Sequence, residues 1–220
     1  MTTCLAEPDL QLLAAISFGA CFRYSPCGVS PVARRSRRYC TLLKAQHPAF
    51  LAYGARCVRF DVIRDGALSG LFTARPTLVP VPSSGRTRAG IPTVAGALAA
   101  ELVAQGLGSA VRACLVRSHD IGRSSCARPG HRASVQDHYR SLSVVAAPGQ
   151  PTDILLVDDL VTKGRTLIAA AARLREAFPT ARISTFALMR TMSLVPDIET
   201  VRDPCVGQIR WVRGDARRMP

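Results

Sequence analysis

Apolar residues fall into short blocks separated by Gly-, Pro- and Ser-rich stretches, and the spacing within the blocks switches between continuous runs and a helical repeat. The segment TLVPVP from Thr77 reads as a short buried strand that runs into the loop PSSGRTRAG. In IPTVAGALAAELVAQGLG, Val94, Leu98, Leu102 and Val103 recur at helical spacing, and Gly106 and Gly108 supply the stop. VRACLVR (111–117) and SLSVV (141–145) are strand candidates. DILLVDD (153–159) is an apolar run ending in two acids, which suits a central parallel strand covered on both faces. A helix from Gly164 to Phe178, a strand from Arg182 to Met189 and a last strand from Gly207 to Arg213 complete the pattern. Strands alternating with helices imply crossover units around a parallel sheet.

Upstream, residues 8–20 (PDLQLLAAISFGA) read as a short amphipathic helix opening near Asp9. A second helix is expected over 31–46, with Ser30 as N-cap and Pro31 at the first helical position. Residues 48–63 read as helical or mixed, and Asp65-Gly66 marks a turn. Residues 118–140 lose every periodic signal while holding Arg123, Arg128, Arg132 and Arg140. So long a connection is expected to be a mobile, basic functional loop. The expected fold is α/β: an open, mostly parallel twisted sheet flanked by helices. A helical N-terminal segment over 1–76 packs on the core or contributes to a small hood, the core covers 77–190, and a strand and tail cover 191–220.

With 220 residues, the chain is long enough to bury a sizeable core, and 48% hydrophobic but only 5% aromatic residues indicate an aliphatic interior. The net charge of +14 is almost all arginine, since Lys44 and Lys163 are the only lysines. Guanidinium forks match phosphate oxygens, so the surface suits polyphosphates or nucleic acid. The plain alternative is a solvated basic surface, and it applies to Arg34, Arg35, Arg37 and Arg38 as well. No apolar stretch reaches the roughly 18 residues of a membrane span. Glu7 and Asp9 interrupt the only leader-like segment, so the expected compartment is the cytoplasm, where eight cysteines stay reduced. Cys21, Cys27, Cys40 and Cys57 contain no C-x-x-C pair, which favours free thiols over a zinc site.

Most of the chemistry lies in DILLVDDLVTKGRTL. Its strand brings Asp158 and Asp159 to the carboxyl edge of the sheet, where open α/β folds bind ligands. The loop Thr162, Lys163, Gly164, Arg165 and Thr166 then opens a helix, aiming backbone N–H groups and the positive end of the helix dipole at one point. Gly164 allows close backbone approach, and the two threonine hydroxyls add donors. Twin carboxylates before an anion cradle fit a ligand with vicinal hydroxyls on one side and a phosphate on the other, such as ribose 5-phosphate.

From Ile154 to Thr166 the chain resembles the type I phosphoribosyltransferases, whose signature is an apolar strand, two acids, two apolar residues and a Thr/Gly phosphate loop. The resemblance implies that Asp158 and Asp159 contact the ribose hydroxyls of phosphoribosyl pyrophosphate (PRPP) and that residues 162–166 hold its 5-phosphate. LVPVPSSGRTRAG (78–90) is similar to the family's pyrophosphate loop, which implies contacts from Ser83, Ser84, Arg86 and Arg88, with Mg2+ bound through PRPP. The 118–140 segment occupies the place of the family's lid. LLKA (42–45) and the Arg117 region are loose echoes of the competence-associated ComF-type branch. Overall the resemblance covers roughly residues 40–190. The ComF-type N-terminal C-x-x-C knuckle is absent, and Arg165 stands where small residues are common.

The implied reaction transfers a phosphoribosyl group to a base or amine with release of pyrophosphate. The alternative on the same fold is a non-catalytic PRPP sensor or nucleic-acid-binding regulator. A receiver-domain reading of LLVDD fails, because only 61 residues follow Asp159 and such a domain needs most of ~120. A Walker B reading lacks a G-x-x-x-x-G-K-[ST] partner. Without any ligand, the acids and threonines would simply cap the turn and helix. His47, His119, His131 and His138 carry no pattern of their own, and 131 and 138 draw interest only by lying in the proposed lid.

Overall fold

The computed structural model describes residues 15–83, 92–119, 121, 133–145, 149–193, 195 and 197–219. Seven strands form one sheet: β1 (Ala15–Tyr24), β2 (Thr77–Pro80), β3 (Ala110–Val111), β6 (Asp153–Val161), β7 (Arg182–Thr191), β8 (Arg202–Val212) and β9 (Asp215–Met219). Their order is β3-β2-β6-β7-β1-β8-β9. All neighbours from β3 to β1 pair in parallel, and β8 runs antiparallel to both β1 and β9. A separate small ribbon joins β4 (Leu115–Arg117) to β5 (Leu142–Val144). The protein is therefore α/β, with a mostly parallel, seven-stranded mixed sheet flanked by helices.

One face of the sheet carries α1 (Pro31–Lys44), α2 (Pro48–Ile63), α3 (Ser69–Phe72) and α4 (Val94–Ala104). The other carries α5 (Val135–Ser141), α6 (Arg165–Ala177) and the ribbon. Strand β6 serves both cores through its alternation: Ile154 and Leu156 pack on the α6 side, and Leu155 and Val157 on the α1–α4 side. The helix starts follow sequence chemistry. Ser30 Oγ accepts from the Ala33 amide at 3.1 Å with Pro31 at the first position, and Thr93 caps α4 by accepting from Gly96. Gly106, at φ 77°, ends the α4 region as expected.

Four expectations change. Residues 15–20, expected within a helix, are strand: Ile16, Phe18 and Ala20 line one core while Cys21 and Phe22 enter the other. Apolar residues bound for both faces blur the period-two signal, which let the helical reading stand. The N-terminal region thus supplies a central strand, hydrogen-bonded between β7 and β8, in addition to helices.

VRACLVR splits into two strands in different sheets, β3 beside β2 and β4 against β5. Within the segment expected to lack structure, Val135–Ser141 is helical. A reciprocal capping box starts it, Ser134 Oγ accepting from the Asp137 amide and the Asp137 carboxylate from the Ser134 amide. Seven residues are too few to display a helical period. The last strand begins at Arg202 and turns back through Arg213-Gly214 into β9. Both turn residues have positive φ (50° and 81°), as a tight two-residue hairpin turn demands.

Candidate functional site

The last residue pair between β2 and β6 is Pro80 with Val157. On the other flank, β6 stays paired with β7 as far as Val161 and Arg190. Asp158 and Asp159 therefore lie within the strand, not at its end, yet they emerge where β2 has already stopped. Among the described residues, no strand pairs with β6 beyond Val157 on that side.

The two acids are successive residues of β6 and differ in their partners. Asp159, 9% exposed, accepts a hydrogen bond at 2.5 Å from Nζ of Lys44, the last residue of α1. The pair holds the Lys44 ammonium in its charged form: burial pushes its pKa down, but the attraction of Asp159 outweighs it and the net shift is upward. Asp158 makes no ion pair among the described residues, and its carboxylate accepts the amide of Asp159 at 2.8 Å. Burial, with the charge of Asp159 added to it, pushes the Asp158 carboxyl well above the usual range. The acid pair thus combines one carboxyl held by the Lys44 ammonium with a second whose ionisation the site resists, and perturbed carboxyls of this kind are frequent at functional sites.

Beyond Val161 the chain turns through Thr162, Lys163 and Gly164 into α6. Gly164 sits at φ 87° and is the N-cap of α6, with no side chain capping the helix. The first amides of α6 are thereby left to face the loop. A Cβ on Gly164 would meet Ile209 Cδ1 at 2.6 Å, so glycine serves packing against β8 as well as the turn. The Thr162 hydroxyl lies 3.1 Å from that of Thr191 at the end of β7.

Lys163 and Arg165 turn toward Asp215 of β9 instead of projecting over the acids. Lys163 Nζ is 2.9 Å from Asp215 Oδ2, and Arg165 donates to both carboxylate oxygens at 2.6 and 2.8 Å. This clamp holds the Asp215 carboxyl far below its ordinary range, chiefly through the Arg165 hydrogen bonds. Arg165 also donates to the Ala133 carbonyl at 3.1 Å, tying the phosphate-loop candidate to the start of α5.

The β4–β5 ribbon adds residues not singled out as ligands from sequence. Arg117 donates to the Ser83 carbonyl at 2.6 Å and to the Ser141 hydroxyl, and faces His138 Nδ1 at 3.5 Å. Desolvation brings Arg117 down to about 10, with Asp158 acting in the opposite sense, so it stays cationic beside the acids. His138, 4% exposed, is lowered to about 4 by burial and by Arg117 and Arg165. The ring is neutral at pH 7, and its Nδ1 also lies 3.3 Å from the Thr166 hydroxyl. Arginine can only donate, so Nδ1 is the unprotonated nitrogen there.

Of the residues read from sequence, Asp158, Asp159, Thr162, Lys163, Gly164, Arg165, Thr166 and Ser83 gather at one edge of the sheet. Ser84, Arg86 and Arg88 lie outside the described residues, as does most of the 118–140 segment assigned as a lid. Lys44, Arg117, His138 and Asp215 join them only through the fold. Rarity marked Lys44, one of two lysines, whereas nothing local marked Asp215. Among the α1 arginines, Arg37 secures the preceding loop by donating to the Ser25 and Gly28 carbonyls, and 34, 35 and 38 are exposed.

Cys21 and Cys57 are buried, Cys40 is half-buried and Cys27 is exposed. Among the described residues, no three His, Cys, Asp or Glu side chains converge as a metal site, and no helix is long and apolar enough to cross a membrane.

Fold and site together define an α/β protein with acids, a cation and an uncapped helix start at the carboxyl edge of a mostly parallel sheet. No protein-family model matches the chain, and no curated protein is similar to it in sequence at a significant level.

Proposed function

We propose that this chain is a cytoplasmic phosphoribosyltransferase-like protein of type I fold that binds PRPP and transfers its phosphoribosyl group to a base or amine. One observation carries the reading: Asp158 and Asp159 emerge beyond the end of β2, three residues before the loop that enters α6 at Gly164 with its first amides uncapped. A ribose ring spans that interval, its hydroxyls toward the acids and its 5-phosphate toward residues 162–166.

In the reaction, the acceptor nitrogen forms a bond to C1 of the ribose while the C1–O bond to pyrophosphate breaks. The electron pair leaves with pyrophosphate, and the acceptor's proton passes to solvent or to a nearby base. Positive charge grows on the sugar in the transition state, and the carboxylates of Asp158 and Asp159 favour it electrostatically. Arg117, which is tied to the Ser83 carbonyl, offsets the charge gathering on the leaving group, a role that the family resemblance also gives to Arg86 and Arg88. The residues present suit a divalent cation, since Asp158, which makes no ion pair among the described residues, would hold it. Magnesium supplies charge neutralisation of the pyrophosphate when bound. Neutral His138 orients the Thr166 hydroxyl at the phosphate loop.

Calorimetric titration with PRPP and magnesium tests the reading, comparing wild type with Asp158→Ala/Asp159→Ala. Binding by the wild type and a loss of at least about 100-fold in the double variant is expected, as two charged contacts are removed. Equal binding by both proteins rejects the site. A screen of bases for pyrophosphate release then identifies the acceptor.

A further inference from the structure

On the α6 side of the sheet, next to the phosphate-loop candidate, three arginines crowd around one acid. Arg23 of β1 and Arg190 of β7 are register partners on adjacent strands, a placement in which like charges repel. Asp203 of β8 answers both: Arg23 Nη2 lies 2.7 Å from its Oδ2, and Arg190 donates to the same oxygen and to the Asp203 carbonyl at 2.5 Å. Arg218 of β9 closes the group, donating to the Thr191 carbonyl at 2.6 Å and lying over the Phe18 ring. Burial and the repulsion of Arg190 both push the Arg218 pKa down. Cys205 lies in the same field, and its thiol, raised mainly by burial, stays neutral.

The cluster is short of negative charge and of acceptors at once. Among the described residues, three guanidinium charges gather with a single carboxylate, which pairs with Arg23 and Arg190, a formal excess of two. Among the described residues, Arg23 Nε and Arg218 Nη1 are buried with no hydrogen-bond partner. Buried donors are nearly always satisfied, so two orphans in one cluster call for a missing partner. Water would satisfy the donors and leave the charge; an oxyanion satisfies both. At one side the cluster reaches the surface, where the Arg23 and Asp203 side chains are 27% and 31% exposed.

We infer that Arg23, Arg190 and Arg218 form a second anion site, specific for the oxygens of a small-molecule phosphate or carboxylate, received by Arg23 Nε and Arg218 Nη1. The site does not depend on the phosphoribosyl reading. It abuts it, because Thr191, whose carbonyl holds Arg218, contacts Thr162 through its hydroxyl. A ligand carrying an anionic group there sits beside whatever occupies the Thr162–Thr166 loop.

The test is calorimetric titration of the full chain with sodium phosphate and, separately, sodium acetate in a low-salt buffer, on wild type, Arg23→Gln and Arg218→Gln. Saturable binding of one of these anions by the wild type, weakened about ten-fold or more in each variant, is expected from the loss of a charge-assisted hydrogen bond. Phosphate held only by the Thr162–Thr166 loop would bind all three proteins alike, and that result overturns the site. The comparison of the two salts identifies the preferred oxyanion.

Asp203→Asn gives an independent reading through thermal melts. Removing the internal carboxylate lowers the melting temperature in anion-free buffer, and the preferred anion restores it, with a larger anion-dependent rise than in wild type. A rise no larger than that of Arg218→Gln overturns the inference. Should Arg218→Gln fail to fold, Arg218→Lys keeps the charge but loses the fork, and undiminished affinity in that variant overturns it equally.

Discussion

Asp158→Asn should stabilise the unliganded protein, and only above acidic pH. The folded state raises the Asp158 carboxyl, mainly by burial and then by the charge of Asp159. A raised acid contributes its full stability below its ordinary value near pH 4, and that stability is lost as pH climbs through the raised folded value. At pH 8 the wild type therefore carries an ionised, half-buried carboxylate whose neighbour has already taken the one ammonium at hand.

Asparagine removes the charge while its carbonyl oxygen can still accept the Asp159 amide, as the Asp158 carboxylate does. Because the residue is only half-buried, the gain is about 1–2 kcal/mol, well short of a fully buried charge. For a chain of this length that corresponds to about 2–8 °C in melting temperature. Thermal melts of wild type and variant from pH 4 to pH 8 measure it. The two proteins should coincide near pH 4 and separate steadily above it, with the variant higher. A variant that melts lower, or a difference independent of pH, would refute the electrostatic account of the acid pair. The same substitution should weaken PRPP binding, a trade between stability and function expected of a ligand site.

Two further outcomes follow from the loop. Gly164→Ala should cost about 2–3 kcal/mol in urea denaturation, combining left-handed strain at φ 87° with the clash on Ile209; a cost below about 0.5 kcal/mol would contradict the geometry. Asp215→Asn should lower stability by about 1 kcal/mol at pH 7, the clamp on Lys163 and Arg165 being partly screened by solvent. Since the Asp215 carboxyl is depressed, its contribution is present above the ordinary carboxylate range and lost as pH falls below it. The difference between variant and wild type should accordingly vanish in strong acid, as followed by denaturation at stepwise lower pH.

Elements whose signals are local were legible in the order of the amino acids. Apolar runs bounded by loops marked β2 and β6, helical spacing marked α4 and α6, and Ser30-Pro31 marked the start of α1, because capping and periodicity act within a few residues. The order of the Asp158–Asp159 pair and the loop at 162–166 is likewise a matter of chain adjacency, so the candidate site was legible there. Tertiary structure alone decided that residues 15–24 insert as a strand between β7 and β8, since a segment buried on both faces carries too little polar contrast to declare its period. It also decided that Lys44 meets Asp159 across 115 residues and that Asp215 draws Lys163 and Arg165 across 52 and 50. Such pairings depend on how strands are ordered in a sheet, and no local pattern encodes that order.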